Sequence, residues 1–354
     1  MSSLIRVLVV DDSAFVRKVV SQMLSRSPFI DVVGAARDGA EALEMTSRLA
    51  PDVITLDLVM PGIDGLEFLR RQMAIRRLPV VICSISHESG AAALEAFELG
   101  AVEFVQKPTA LATDRVYEIS DELVAKVKAA AAAKPVEPRR QTPAASAVPG
   151  APVRSHTVDE PLEAKNVDIV VIGVSTGGPQ ALRQVIPLLA ADFPVPVAVV
   201  LHMPVGYTTM YAQRLNEIAQ LNVVEARDGD GIVPGAMFLA PAGRHLLLTR
   251  ASDGEVRARL DVRPFDTPHR PAVDVLFRSA ADVFGSRVLG VVMTGMGNDG
   301  LMGSAYIKAK GGRVLAEAES SCVVYGMPRA VVEAALADRV ATLDDIAATI
   351  GEML

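Results

Sequence analysis

Short apolar runs that each stop at a polar or glycine-rich turn constrain this chain more than any other feature. Val7-Leu8-Val9-Val10 stops at Asp11-Asp12, and Val53-Ile54-Thr55-Leu56 stops at Asp57. Val170-Val171-Ile172 leads into Gly173-Val174-Ser175-Thr176-Gly177-Gly178. Val197-Ala198-Val199-Val200-Leu201 stops at His202, and Val288-Leu289-Gly290-Val291-Val292-Met293 stops at Thr294-Gly295-Met296-Gly297-Asn298-Asp299-Gly300. Apolar runs of this length between amphipathic stretches are strands of parallel βαβ units with right-handed crossovers. In an open parallel sheet, ligands bind beyond the carboxyl ends of the strands, so the residues closing these runs are the candidate chemistry. The early set clusters carboxylates, which suits a divalent cation and phosphoryl transfer. The later set presents a hydroxyl on a sharp turn, which suits acyl transfer.

The chain's 354 residues make about two domains at roughly 150 residues each, and either half can bury a core of its own. Over 129–153, nine of 25 residues are Ala and five are Pro, with no apolar period, so this stretch reads as a semi-extended tether. The expected division is a first domain over 1–128, a linker over 129–164 and a second domain over 165–354, with 121–134 continuing the first domain's last helix. No apolar run nears the roughly 18 residues of a membrane-spanning helix, and Met1 to Arg6 lead straight into a strand, so neither membrane insertion nor a signal peptide is expected. Only Cys83 and Cys322 are present, one in each half. They exclude a disulfide framework and a zinc ribbon, fit a reducing, cytoplasmic setting and read as small buried apolar residues. A net charge of -7 gives no general attraction to nucleic acid or anionic lipid.

In the first half, runs at 5–10, 30–34, 53–56, 79–83 and 102–105 read as strands, and stretches at 13–26, 38–49, 64–76, 89–99 and 113–130 as helices. Asp11, Asp12, Asp57, Ser84 and Lys107-Pro108 then fall at strand ends. Three neighbouring carboxylates repel unless a cation lies among them, and oxygen ligands suit Mg²⁺. Such a metal would neutralise a phosphoryl group arriving at Asp57 and leave that carboxylate as nucleophile. The plainer alternative is that each acid caps the helix after it. Residues 4–125 resemble the receiver domain of response regulators, on Asp11-Asp12, Leu56-Asp57, Met60-Pro61-Gly62-Ile63-Asp64-Gly65, Ser84 and Lys107-Pro108. The resemblance implies that Asp12 and Asp57, with a carbonyl near Val59 and help from Asp11, hold Mg²⁺. It also implies that Asp57 accepts the phosphoryl group, and that Ser84 and Lys107 bind its oxygens. Phe104 stands where that family has a rotating aromatic, and Val59 stands where an acidic residue is common.

In the second half, Gly173-Val174-Ser175-Thr176-Gly177 fits G-x-S-x-G between a strand at 168–173 and a helix at 179–189 with Pro179 in its first turn. The flanking glycines permit the turn, and the helix start offers free amides for an oxyanion. A phosphate-binding turn or a merely tight turn fits the same motif. Five histidines are present. His87 lies in the first half and His156 in the tether, whereas His202 closes a strand as Ser175 does. His245 follows Pro241-Ala242-Gly243-Arg244 and His269 lies in a Pro-rich loop, and either is substrate-side or structural. Asp299 closes another strand. Serine attack needs a base, and the base needs a carboxylate. Ser175, His202 and Asp299 can converge on one crevice, and their chain order differs from the Ser–Asp–His of α/β-hydrolases. Asp228-Gly229-Asp230-Gly231 reads as turn chemistry rather than a metal site.

Residues 165–350 resemble the catalytic domain of chemotaxis protein-glutamate methylesterases, the family in which a receiver precedes this domain. The matching stretches are Ile172 to Gly178, Leu201-His202-Met203-Pro204, Ala240-Pro241-Ala242-Gly243-Arg244-His245, Met293 to Gly300 and Tyr325-Gly326-Met327-Pro328. The resemblance implies an α/β fold: a flavodoxin-like receiver followed by a doubly wound, mainly parallel catalytic sheet. It implies Ser175 as nucleophile, His202 as base and acid, Asp299 as orienting acid, and the amides of Thr176 and Met296 as oxyanion donors, with no cofactor in this domain. Its reaction hydrolyses γ-glutamyl methyl esters on methyl-accepting chemotaxis receptors and deamidates receptor glutamines. A histidine kinase of the chemotaxis pathway is the implied phosphodonor, and nucleic acid is not a partner. The receiver is expected to cover the Ser175 crevice until Asp57 is phosphorylated; a hundredfold activity ratio needs only about 2.7 kcal/mol of differential stability. Two rival outputs remain at this level: a Gly-rich ligand-binding module, and a DNA-binding regulator, which the charge and the lack of a basic helix-turn-helix disfavour.

Overall fold

A computed structural model of the chain describes residues 4–84, 90–107, 115–133 and 166–354. His87, Pro108, His156 and the Pro-rich part of the tether lie outside them. The N-terminal half alternates β1 (Ile5–Val10), α1 (Ala14–Leu24), β2 (Ile30–Ala36), α2 (Gly39–Leu49), β3 (Val53–Leu56), α3 (Gly65–Ile75), β4 (Val80–Ser84), α4 (Gly90–Leu99), β5 (Glu103–Gln106) and α5 (Arg115–Ala132). Its five strands form one parallel sheet in the order β2-β1-β3-β4-β5. Helix α5 runs to Ala132 and so carries the first alanines of the Ala-rich stretch, with Ala129 and Ala130 buried.

Helix starts in this half follow their capping residues. The Ser13 hydroxyl accepts from the Val16 amide at 3.4 Å, and the carboxylates of Asp38 and Asp64 accept from the Glu41 and Glu67 amides at 2.9 and 2.8 Å. The caps of α1, α2 and α3 are therefore not the acids at the strand ends. Asp11 instead accepts from the Ser13 amide at 2.9 Å and Asp57 from the Val59 amide at 3.3 Å, each bond shaping the local turn.

The C-terminal half contains β6 (Ile169–Val174), α6 (Gly178–Val185), β7 (Val197–Leu201), α7 (Thr208–Ile218), β8 (Asn222–Glu225), β9 (Ala236–Leu239), β10 (His245–Arg250) and β11 (Val256–Asp261). It continues with α8 (Val273–Phe284), β12 (Val288–Val292), α9 (Leu301–Ala309), β13 (Arg313–Glu317), α10 (Met327–Glu333), β14 (Arg339–Ala341) and α11 (Ile346–Glu352). Seven parallel strands run β14-β13-β12-β6-β7-β9-β8, and β10 and β11 form an antiparallel pair apart from them. Successive residues of β6 show why helices cover both faces. Val170, Ile172 and Val174 join one apolar cluster with Leu182 of α6 and Leu215 of α7, while Ile169 and Val171 join another with Leu276 and Phe277 of α8. The expected helix at 179–189 is shorter than its apolar pattern. It gives way to a single 3₁₀ turn at Ile186–Leu188, where Pro187 has no amide to continue the α-helical ladder.

The two halves are docked. A single apolar cluster joins Leu56, Phe97 and Phe104 of the first half to Leu182, Tyr207 and Tyr211 of the second. The rings of Phe104 and Tyr207 lie 5.0 Å apart at 56°. Gly90, first residue of α4, leaves the space that the Met210 methyl occupies. Around this apolar centre, Gln180 donates to the carbonyls of Phe97 and Ala101 at 3.1 and 3.0 Å, and Arg183 pairs with Glu98 at 2.8 Å.

Candidate active site and acidic strand edge

At the carboxyl edge of the first sheet, Asp11, Asp12 and Asp57 bring carboxylate oxygens within 4.8 Å of one another. Asp11 and Asp57 are buried and Asp12 is exposed. Lys107, just past β5, places Nζ 2.8 Å from Asp11 and 2.6 Å from Asp57. Ser84 ends β4 beside it, buried, with its carbonyl accepting from the Lys107 amide at 3.0 Å. Burial pushes the Asp57 carboxyl above the ordinary carboxylate range; Asp11 adds to this, and the bonds from Lys107 and Val59 offset only part of it. Lys107 keeps its proton because the two aspartates outweigh its own burial. One ammonium against three carboxylates leaves negative charge in excess, and an all-oxygen donor set suits a hard divalent cation.

At the carboxyl edge of the second sheet, β7, β6 and β12 are neighbours, and His202, Ser175 and Asp299 follow them in that order. The Ser175 amide donates to the Thr294 carbonyl at 3.0 Å, and the His202 amide donates to the Val174 carbonyl at 3.1 Å. These two bonds fix both turns to the strand ends. His202 Nε2 lies 2.9 Å from Asp299 Oδ2. That carboxylate also accepts from the Val273 and Asp274 amides at 2.8 and 2.9 Å, so it sits at the start of α8 where backbone donors favour negative charge. Burial alone would raise the Asp299 carboxyl, but the hydrogen bond and charge of His202, with the two amides, hold it below the usual carboxylate value. With Nε2–H directed at Asp299, His202 Nδ1 carries the lone pair; it is buried and has no partner among the described residues.

The turn between β6 and α6 needs its glycines. Gly177 has φ +78°, and a side chain there would strike Val323. A side chain on Gly295 would strike Met327 Sδ and the Cβ of Ser175, and one on Gly326 would strike the Gly295 carbonyl. Ser175, the Gly295–Gly297 loop and the start of α10 are therefore in backbone contact. Among the described residues, the amides of Thr176 and Met296 meet no backbone acceptor.

His245 and His269 separate. His245 is fully buried: its Nδ1 accepts from the Ala272 amide at 3.2 Å and its Nε2 donates to the Pro264 carbonyl at 3.1 Å. It is a structural tie for the loop before α8. His269 stacks on His202, with ring centroids 4.1 Å apart at 27°. Burial, then the charge of His202, pushes the His269 imidazole down to about 4, so it is neutral at physiological pH. Asp230 accepts from the Arg227 amide within the turn, whereas Asp228 accepts from the Leu260 amide of β11, both at 2.8 Å. Cys83 and Cys322 are buried free thiols.

The CheB methylesterase family model matches residues 170–350, and the response regulator receiver domain model matches residues 7–115. A protein-glutamate methylesterase/protein-glutamine glutaminase of Myxococcus xanthus is 52% identical over 345 residues, 97% of this chain and 96% of that protein. The chain belongs to the CheB methylesterase family. A protein of the same description from Bacillus subtilis is 41% identical over 353 residues, covering 98% of both chains. The crystal structure of the Thermotoga maritima CheB methylesterase catalytic domain is similar with a TM-score of 0.52 and 42% identity, covering 54% of this chain and 100% of that one. The fold is accordingly the expected α/β pair: a five-stranded receiver sheet in flavodoxin-like order and a doubly wound catalytic sheet. Among the described residues, no helix is long and apolar enough to cross a membrane.

The receiver, expected over the Ser175 crevice, touches the serine turn through residues that the sequence did not single out. Thr176 Oγ1 donates to Glu103 at 2.6 Å, and the Gly177 amide donates to the Val102 carbonyl at 3.3 Å. Glu103 in turn meets Lys126 of α5 at 3.4 Å, and Lys126 also donates to the Phe104 carbonyl at 2.6 Å. The only sequence signal was a charged residue, Glu103, opening a strand whose first three residues are buried.

Proposed function

We propose that this chain is a phosphorylation-controlled hydrolase that removes methyl esters from glutamate side chains of methyl-accepting chemotaxis receptors and deamidates receptor glutamines. The observation that carries the reading is the His202–Asp299 hydrogen bond one strand away from Ser175, with the second ring nitrogen of His202 unpartnered. In this reading Ser175 Oγ attacks the ester carbonyl as His202 Nδ1 takes its proton. The new C–O bond gives a tetrahedral oxyanion held by the Thr176 and Met296 amides. His202 returns the proton to the methoxy oxygen as that bond breaks, and methanol leaves. Water then repeats the sequence on the acyl-enzyme. Glutamine follows the same path with ammonia leaving. Asp299 stays ionised and stabilises the imidazolium between steps.

Control rests in the receiver. Asp57 is the proposed phosphoacceptor, with Ser84 and Lys107 as ligands of the phosphoryl oxygens. Asp11, Asp12 and Asp57 are the proposed holders of Mg²⁺, which when bound would neutralise charge at the phosphoryl group. The phosphodonor is a chemotaxis histidine kinase and the setting is the cytoplasm. The proposed functional units remain a receiver over 1–128, a linker over 129–164 and a catalytic unit over 165–354. Val102 and Glu103 of the receiver bond to Gly177 and Thr176, so a docked receiver bars a receptor from the serine turn. The test is methanol release from a methyl-esterified receptor fragment. The native chain releases it and Ser175→Ala and His202→Gln do not; release unaffected by either substitution refutes the esterase assignment.

A further inference from the structure

Glu317 is the last residue of β13, one strand beyond β12 on the same carboxyl edge as the serine turn. It is fully buried, and the groups that contact its carboxylate are hydrogen-bond donors rather than cations. Oε2 accepts from the Thr294 amide at 2.8 Å, and Oε1 accepts from the Ser321 hydroxyl at 3.0 Å. A carboxylate in such a place is costly, and burial pushes it above the ordinary range. A core strand end with no further task would carry an apolar residue or a serine.

Thr294 explains the placement. Its amide is held by Glu317, its carbonyl accepts from the Ser175 amide at 3.0 Å, and its Oγ1 donates to the Thr176 carbonyl at 3.0 Å. The same Oγ1 accepts from the Val324 amide at 3.0 Å. Every polar group of Thr294 is thus committed, and two of its bonds end on the turn that carries Ser175. Two residues further on is Met296, whose amide is the second proposed oxyanion donor. One buried threonine joins the nucleophile turn to the oxyanion loop, and one buried carboxylate fixes the threonine.

We propose that Glu317 is a positioning residue of the esterase site, acting through Thr294 to set Ser175 and the Thr176 and Met296 amides in register. This rests on the esterase reading above. Because catalytic donors must be placed to within a fraction of an ångström, loss of this anchor costs turnover rather than substrate affinity.

The test uses the full chain with acetyl phosphate, Mg²⁺ and a methyl-esterified receptor fragment, reading kcat and KM separately. Glu317→Leu leaves the Thr294 amide unpaired and should lower kcat by about 10- to 100-fold with KM within about twofold. Glu317→Gln can still offer its amide oxygen to Thr294 and its amino group to Ser321 Oγ, so it should restore most of the turnover. If Glu317→Leu does not fold, as judged by its thermal midpoint, Thr294→Val against Thr294→Ser asks the same question, with only the serine variant active. Native kcat in a folded Glu317→Leu protein, a change confined to KM, or equal rates for the two Thr294 variants would overturn the proposal. The rate of Ser175 sulfonylation by phenylmethylsulfonyl fluoride gives a second readout that needs no receptor. If the native chain releases no methanol, the esterase reading fails. Sulfonylation unchanged by Glu317→Leu would instead remove the positioning role.

Discussion

Asp299 is buried at the start of α8 and still stays ionised, because two backbone amides and His202 all point at its oxygens. Replacing it with Asn would turn an amino group toward at least one donor and remove the charge that stabilises a protonated His202. We expect Asp299→Asn to fold and to lose about 10³- to 10⁴-fold in kcat, as orienting acids do in triads. The linkage is that of a lowered carboxyl: its stabilisation is present above the ordinary value of 3.8 and is lost as pH falls through the lower folded value. Acid titration of native and variant chains should therefore show stabilities converging below about pH 4. Asp57 behaves oppositely. Its carboxyl is raised by burial, so its contribution to stability is present below 3.8 and lost as pH rises through the folded value. Without metal, Asp57→Asn should melt at a higher temperature than the native receiver at pH 7, and added Mg²⁺ should stabilise only the native protein. Thermal melts with and without Mg²⁺ decide this, and a lower melting temperature for metal-free Asp57→Asn would contradict it.

At the scale of elements, strand ends and glycine turns make the site. Gly295 is the sharpest case, since a methyl group there would lie 2.4 Å from Met327 Sδ and 2.8 Å from the Ser175 Cβ. We expect Gly295→Ala to displace the serine turn and cost about 10²-fold in kcat, measured beside a thermal melt that reports on folding. Much of this was legible in the sequence, because apolar runs buried on both faces mark parallel strands and the residue after each run is where such sheets bind ligands. Ser175, His202 and Asp299 each follow a run of that kind, as do Asp11 and Asp57. What the sequence left open lies in the loops. His245 opens β10 and His269 lies in a loop without period, and only the path of the chain before α8 makes one a structural tie and stacks the other on His202. Nothing in the sequence marks Glu317, since its partner at Thr294 is 23 residues away and the contact depends on how β12 and β13 align. The shortened α6 reflects a local rule, Pro187, that the apolar pattern masked.

At the scale of the whole molecule, control depends on how firmly the receiver sits on the serine turn. The Arg183–Glu98 pair is partly exposed and worth at most about 1 kcal/mol. The two bonds from Gln180 to receiver carbonyls are worth about 1 kcal/mol each. The Thr176–Glu103 and Gly177–Val102 bonds and the apolar contacts around Phe104, Tyr207 and Met210 supply the rest, so no single polar bond holds the interface. Gln180→Ala combined with Arg183→Ala removes about 2 to 3 kcal/mol and should raise methanol release without phosphodonor by about 30- to 150-fold, since about 1.4 kcal/mol is a factor of ten. The fully phosphorylated rate should change much less. This coupling was not readable from either half alone, because the bond between Glu103 and Thr176 spans 73 residues and the tether. The most direct measurement is methanol release from a methyl-esterified receptor fragment with and without acetyl phosphate and Mg²⁺, for the native chain, Ser175→Ala and Asp57→Ala. The account predicts release that the phosphodonor stimulates in the native chain, that Ser175→Ala abolishes, and that stays at its basal rate in Asp57→Ala. Stimulation that survives Asp57→Ala, or release that survives Ser175→Ala, would contradict it.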